Sequence, residues 1–429
     1  MSNLKQLKER IFSDINNMPI IDTHDHLGPD DTGIIPEFDL CDLIFHNLNS
    51  DLITSGMPGL GTHAQTPWPK EEKDPVNKWK SLRDYLKNIE NITAYKILIT
   101  GLKELHDFQD ERIDDSNWMK LNEQIVSAYK QKDWTDFVLK KKCNIKAVIV
   151  DMDTVRMDRD YFFPAIKLDY IMMGVLNSKS RMKIEEKHKI KIQSFEEVIA
   201  ALKEIFNDYI QKGAVALKSV AAYYRSLNYE NVDLNDAKEI FNTKEQNRTP
   251  EMHTKFQNFI MHQILSMVNE KEIPIQFHTG KLAWNFQTIT NTNPVHLTNL
   301  LQNYRSAKFD LFHGGLPYAN EFGILANNYP NVYLDLNGLM WTSISITRKY
   351  LSEWIEMVPQ NKIVWGADSY RVLEGVVGQV IYFKKILSEV LAEKVNDGYF
   401  DEESALLISK NILYKNAHSL FGLQDKIKL

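Results

Sequence analysis

Cysteine is almost missing from this chain: Cys41 and Cys143 are the only two in 429 residues. That excludes a disulfide framework and any metal site built from thiolates, since both need several cysteines. Two isolated thiols agree with a reducing, cytoplasmic setting. No apolar run approaches the roughly 18 residues that a membrane-spanning helix needs. The amino terminus, MSNLKQLKERIFSDINN, is charged throughout and has no apolar stretch ending in small residues, so a secretory signal is not expected. An excess of positive charge is lacking too, because Lys and Arg are interspersed with Asp and Glu and the formal net charge is −6. Nothing in that balance suits nucleic acid or an anionic membrane, and a small-molecule substrate is the expected partner. Fixed-period repeats and low-complexity tracts are absent as well. The remaining composition, 43% hydrophobic and 25% charged, is ordinary for a globular protein, and the length allows one large domain with insertions, or two domains.

What the chain does have is metal-competent side chains at the ends of apolar runs. In MPIIDTHDHLG, His24 and His26 follow such a run one residue apart. In a strand, side chains at i and i+2 share a face, so the two imidazoles project together. The pair alone reads equally as two solvated rings in a loop. Four further runs repeat the design: GAVALKSVAAYYR ends in Lys218, EIPIQFHTG in His278, AKFDLFHGG in His313 and KIVWGADSY in Asp368. Each residue taken singly has an ordinary reading, as a buried histidine bonded to backbone, a capping aspartate or a lysine reaching solvent. The same placement five times argues for a shared site.

Leu4, Leu7, Ile11 and Ile15 predict a helix over residues 3 to 16, and Pro19 breaks the chain before a strand at 19 to 23. Residues 28 to 140 change character and read as a mainly helical insertion, or lid, after that strand; GMPGLGTHAQTPWPKEEKDP is a loop within it. Alternation then begins, with strands expected at 145 to 151, 164 to 172, 214 to 218, 273 to 278, 308 to 313, 331 to 336 and 361 to 367. Helices are expected at 250 to 270, 294 to 304 and 317 to 329, and from a Ser194 cap, with Glu197 three residues on, to Gly213. Runs of Ile, Val, Leu and Phe suit strands buried on both faces. The expected fold is α/β, a (β/α)8 TIM barrel with a helical insertion after strand one, divided as 1–27, 28–140 and 141–429. An open doubly wound sheet is the alternative, but it gathers the ends of strands one, four, five, six and eight less readily than a barrel does.

That order, HxH, Lys, His, His, Asp, resembles the amidohydrolase superfamily, and in particular the amidohydrolase-related branch that includes uronate isomerases and metal-dependent decarboxylases. The ending ILYKNAHSLFGL, residues 412 to 423, is similar to the closing helix of that branch. The resemblance implies that His24, His26 and Asp368 bind one metal, that His278 and His313 bind a second, and that Lys218 bridges them as a carbamate. It also implies that Asp368 is the general base. Uronate isomerases and the decarboxylases lack that lysine and use one metal, so Lys218 favours the two-metal form; its other reading is a cation paired with a substrate carboxylate or with Asp368.

Nitrogen and carboxylate ligands without sulfur suit Zn2+ first, then Mn2+, Fe2+ or Co2+. The expected activity is metal-dependent hydrolysis of an amide, lactone or ester, with Asp368 and His313 catalytic. Tyr223, Arg225, Trp341 and Arg371 are candidate substrate contacts, and paired N–H donors on the two arginines suit a carboxylate or phosphate. Asp151, Asp153, Lys167, Asp169 and Tyr224 also lie near strand ends. Asp22 and Asp25 either orient an imidazole or pin the neighbouring strand. His46, His106, His188, His253, His262, His296 and His418 read as ordinary polar residues, and His63 as a lid contact. A sugar-acid isomerase, a decarboxylase and a barrel that keeps metal only for stability are the competing readings. The helical insertion offers surface for a homo-oligomer.

Overall fold

The apolar runs become eight parallel strands in the order β1 to β8: β1 Ile20–Asp25, β2 Ile145–Met152, β3 Phe162–Lys167, β4 Ala216–Ser219, β5 Pro274–Phe277, β6 Lys308–Leu311, β7 Val332–Asp335 and β8 Ile363–Val364. The computed structural model describes residues 2–27, 38–59, 68–69, 71–153, 155, 159–283 and 285–429. The strands close on themselves: Thr23 donates its amide to the Trp365 carbonyl at 3.2 Å, and Asp368 donates to the His24 carbonyl at 2.9 Å. Closure removes the sheet's edges and sends every strand's carboxyl end to one rim. The TIM-barrel expectation is met.

Local chemistry sets the helices. The Ser194 hydroxyl accepts from the Glu197 amide, and the Glu197 carboxylate reaches back to the Ser194 amide, starting the helix Phe195–Gln211 as the sequence predicts. After α1 Ser2–Asn16, the stretch between β1 and β2 is mainly helical where described: α2 Leu40–Thr54, α3 Pro75–Leu86, α4 Thr93–His106 and α5 Trp118–Tyr129. Asp39 caps α2, and Asp74 caps α3 with Pro75 at its first position. These helices share an apolar core of their own, in which Trp79 and Trp118 stack with centroids 5.2 Å apart. α4 docks on the long helix Leu373–Asn396 at very short range. A Cβ on Gly101 would stand 1.9 Å from the Glu374 carbonyl oxygen, and one on Gly378 would stand 2.1 Å from that of Ile97. Backbone meets backbone there, so neither position has room for a side chain.

Three expected strands end two or more residues before their apolar runs do. The strand expected at 164–172 starts at Phe162 and stops at Lys167; Asp169–Gly174 is helical, and the Asp169 carboxylate accepts the Val220 amide at the β4 exit. The strand expected at 361–367 pairs only at Ile363–Val364. The one expected at 308–313 ends at Leu311, and His313 lies in the following turn. In each case the chain leaves the ladder to aim a polar group at the rim. The helix expected at 294–304 begins as a 3-10 turn, Pro294–Leu297, before Thr298–Asn303.

Candidate metal centre at the strand ends

β1 delivers the histidine pair. His24 is fully buried and His26 half-buried, and their Nε2 atoms lie 3.2 Å apart. Asp368 Oδ1 is 3.5 Å from His24 Nε2 and 3.6 Å from His26 Nε2. Two ligands bonded at 2.0–2.1 Å to a tetrahedral ion stand about 3.3–3.4 Å apart, so this triangle of two nitrogens and one oxygen fits a divalent cation. Among the described residues, the group of three His, Cys, Asp or Glu side chains that converges in this way is His24, His26 and Asp368.

His278 and His313 face the same space from β5 and β6, their rings 5.0 Å apart. His278 Nδ1 lies 3.2 Å from the Ser219 carbonyl, and His313 Nδ1 lies 3.1 Å from that of Asn337. A carbonyl only accepts, so each Nδ1 carries the proton and each Nε2 keeps its lone pair, the tautomer a metal ligand or an acceptor for substrate requires. His313 and Asp368 both adopt left-handed backbone, φ 61° and φ 51°. Such residues persist where their surroundings over-determine them. Gly338 supplies part of that setting, because a Cβ on it would lie 2.6 Å from both Asp368 Oδ2 and His313 Nδ1.

Burial, with Lys218 and neighbouring rings adding repulsion, holds His24 and His278 well below the ordinary histidine range, and burial with Lys218 pushes His26 down to about 4. His313 is lowered chiefly by burial. All four are therefore neutral at pH 7, with their lone pairs available.

Lys218 has different company from that expected. Its Nζ is 2.8 Å from Asp151 Oδ2 and 2.9 Å from His24 Nε2, so Asp151, not Asp368, is its ion-pair partner. The other oxygen of Asp151 pairs with Lys167, which in turn pairs with Asp153 at 3.1 Å. Burial alone would raise the Asp151 carboxyl, but the two ammonium groups outweigh it and hold the carboxyl below its usual range. Asp151 ends an apolar run as the other six site residues do, which was the sequence signal for it.

Asp22 and Asp25 pin the neighbouring strand. Asp22 Oδ1 accepts the Ala367 amide at 3.0 Å, and Asp25 Oδ1 accepts the Ser369 amide at 2.9 Å. Arg225 requires a correction as a substrate contact: its guanidinium donates to the carbonyls of Ser226, Asn228 and Thr254 and to Gln257 and Asn258, which ties the loop after β4 to the helix Pro250–Lys271. Trp341 is likewise occupied, its indole N–H shared between the carbonyls of Ala367 and Asp368 at 3.0 and 3.1 Å. Tyr223 does reach the site, with its ring 5.1 Å from that of His278. Arg371 sits at the mouth, 5.6 Å from the Tyr370 ring, which is 5.7 Å from His26. Tyr370 was not picked out from sequence, and neither was His46 of α2, whose ring lies 5.2 Å from it. His63 falls outside the described residues.

Residues 238–423 match the amidohydrolase family, a span that carries His278, His313 and Asp368, and the resemblance seen in the sequence is met by that match. Protein fluG of Emericella nidulans is 28% identical over 225 residues, 49% of this chain and 26% of that protein. The chain thus spans about a quarter of that relative's length. A structure of a presumed metal-dependent hydrolase from Lactobacillus casei covers 98% of this chain and 99% of its own, at 18% identity and a TM-score of 0.68. Glucuronate isomerase from Caulobacter crescentus covers 99% and 96%, at 16% identity and a TM-score of 0.79. At these identities the likeness is one of fold. No helix among the described residues is long and apolar enough to cross a membrane.

Proposed function

We propose that the chain is a metal-dependent hydrolase of the amidohydrolase type, acting on an amide, lactone or ester of a small anionic molecule. The observation that carries this reading is the convergence of His24, His26 and Asp368 within 4.8 Å. Those three would hold one divalent ion, zinc first. When bound, such an ion lowers the pKa of water from 15.7 to about 7 and polarises a carbonyl oxygen. Asp368 Oδ2 points away from the histidine pair, 3.6 Å from His313 Nδ1, and is the atom that takes the proton of the attacking water and returns it to the leaving group. His278 and His313 present acceptor nitrogens to the substrate, Tyr223 walls one side, and Arg371 receives an anionic end at the mouth.

Lys218 favours one ion over two. Burial and the nearby Lys167 lower the Lys218 pKa, but its nitrogen is engaged by Asp151 at 2.8 Å, and while that ion pair holds it is not available to carbon dioxide or to a cation. The same observation supports a second reading, a one-metal isomerase of sugar acids. Metal content per chain, measured with the intact mass of protein prepared in bicarbonate, is expected to give one equivalent and an unmodified Lys218; two equivalents with added carbon dioxide would return the bridging carbamate. Product mass then separates the chemistries: gain of one water for hydrolysis, no change for isomerisation, loss of carbon dioxide for a lyase.

Protons compete with metal for imidazole, so lowered histidine pKa values move acid release downward. Metal affinity is expected to hold from pH 7.5 to near 5 and to fall as pH approaches the value of about 4 for His26. Competition with a chelator at three pH values checks this. A steep loss already between pH 7 and 6 would assign ordinary, solvated histidines to the site.

A further inference from the structure

Two buried side chains, His106 and Glu374, and the half-buried Tyr129 join the helical insertion to the chain just beyond Asp368. His106 ends α4, Tyr129 ends α5, and Glu374 lies in the first turn of the long helix Leu373–Asn396. His106 Nε2 is 2.7 Å from Glu374 Oε1, and the Tyr129 hydroxyl donates to Glu374 Oε2 at 2.8 Å. The same hydroxyl accepts the Leu373 amide at 3.2 Å, one of the helix-start N–H groups that no carbonyl of its own helix can reach. The His106 and Glu374 side chains are 2% and 0% exposed.

Between this cluster and Asp368 the chain is tied at every step. The Ser369 hydroxyl donates to the Val372 carbonyl at 2.7 Å, and Val372 is buried in the insertion's own apolar core. Asp368 and Arg371 are both left-handed, at φ 51° and φ 64°. On the barrel side Asp368 is fixed by the His24 carbonyl and the Trp341 indole; on the other side stand His106, Glu374 and Tyr129. Adhesion between insertion and barrel does not need these polar groups, since the close packing of α4 on the long helix already supplies it, and burying a carboxylate opposes docking unless the group serves some other purpose.

We propose that His106, Glu374 and Tyr129 form a positioning network that holds the 368–372 turn in its strained form, so that the insertion sets the aim of Asp368. None of the three touches a reacting atom; they act through the turn. The inference rests on Asp368 being a ligand, as read above.

Tyr129→Phe and Glu374→Gln test it, with Leu98→Ala as the comparison, because Leu98 is buried in the insertion core outside the network. Zinc affinity by chelator competition is expected to weaken about tenfold in the first two, about 1.4 kcal/mol. Leu98→Ala is expected to lower the thermal midpoint but to leave affinity within about twofold, because it removes apolar contact and none of the network's hydrogen bonds. Amide exchange at 368–373 in metal-free Tyr129→Phe is expected to quicken while that of α4 stays unchanged. If both network variants behave like Leu98→Ala, losing stability with affinity and local exchange unaltered, the network is a docking contact and the proposal is overturned. If wild-type protein takes up no zinc, the metal reading fails, and the exchange measurement alone decides the positioning role.

Discussion

Asp368→Asn is expected to bind zinc within about tenfold of the parent and to turn over about 10²–10⁴-fold more slowly, the contribution of a positioned general base. Asparagine keeps the shape of the side chain and an oxygen that faces His24 and His26, where Asp368 Oδ1 stands 3.5 and 3.6 Å away. Asparagine also tolerates the left-handed backbone at φ 51° about as well as aspartate does, so the turn gains no new strain. What it loses is the basic oxygen beside His313, where an amide nitrogen with no free lone pair then stands. Asp368→Ala, which removes ligand and base together, should lose both binding and turnover. The comparison needs elemental analysis and steady-state rates on whichever substrate the product-mass screen returns. Turnover near the parental rate in Asp368→Asn would take the base role away from this residue.

Gly338→Ala is expected to abolish metal binding and to destabilise the fold by about 2–5 kcal/mol, from left-handed strain and overpacking together. Its added methyl would lie 2.6 Å from Asp368 Oδ2 and from His313 Nδ1, and 3.1 Å from His313 Cε1. One atom thus forces apart the base and the neighbouring imidazole. Gly398 separates strain from clash, because it too is left-handed, φ 73°, but a Cβ there meets nothing within 4 Å. Gly398→Ala should cost only about 1–2 kcal/mol, the backbone penalty alone, and leave metal binding at the parental level. Denaturant midpoints and chelator competition on both variants make the comparison. Equal effects at the two glycines would mean that crowding at Gly338 is relieved by movement and that the ligand geometry is not close-packed.

The barrel and most of the rim were legible because strand periodicity and strand-end polarity are written in side chains. His24 and His26 could be placed on one face by parity alone, and Lys218, His278, His313 and Asp368 follow runs of the same kind. The parts that were not legible depend on main-chain atoms. Arg225 follows a strand as a substrate cation would, yet carbonyls from residues 226, 228 and 254 surround it, and carbonyls carry no sequence signature. Trp341 reads as a pocket wall but serves the carbonyls of 367 and 368. The run KIVWGADSY reads as one long strand, whereas only Ile363 and Val364 pair and the remainder swings out to set Asp368. Gly338, in DLNGLMW, has no sequence signal of its own, and only the positions of two distant side chains give it meaning. His106 reads as a polar residue at a helix end; its partner lies far along the chain in Glu374, beyond the reach of local pattern.

The tethers that orient His278 and His313 are carbonyl oxygens, of Ser219 beside one and Asn337 beside the other. Every amino acid carries a carbonyl, so no substitution at those two positions deletes the acceptor. The tautomers at the rim are therefore insulated from mutation at their own supports and remain exposed only to changes that move a neighbouring strand. Drift and design alike have free play in the loops above the rim, while the aim of these imidazoles is inherited with the barrel itself.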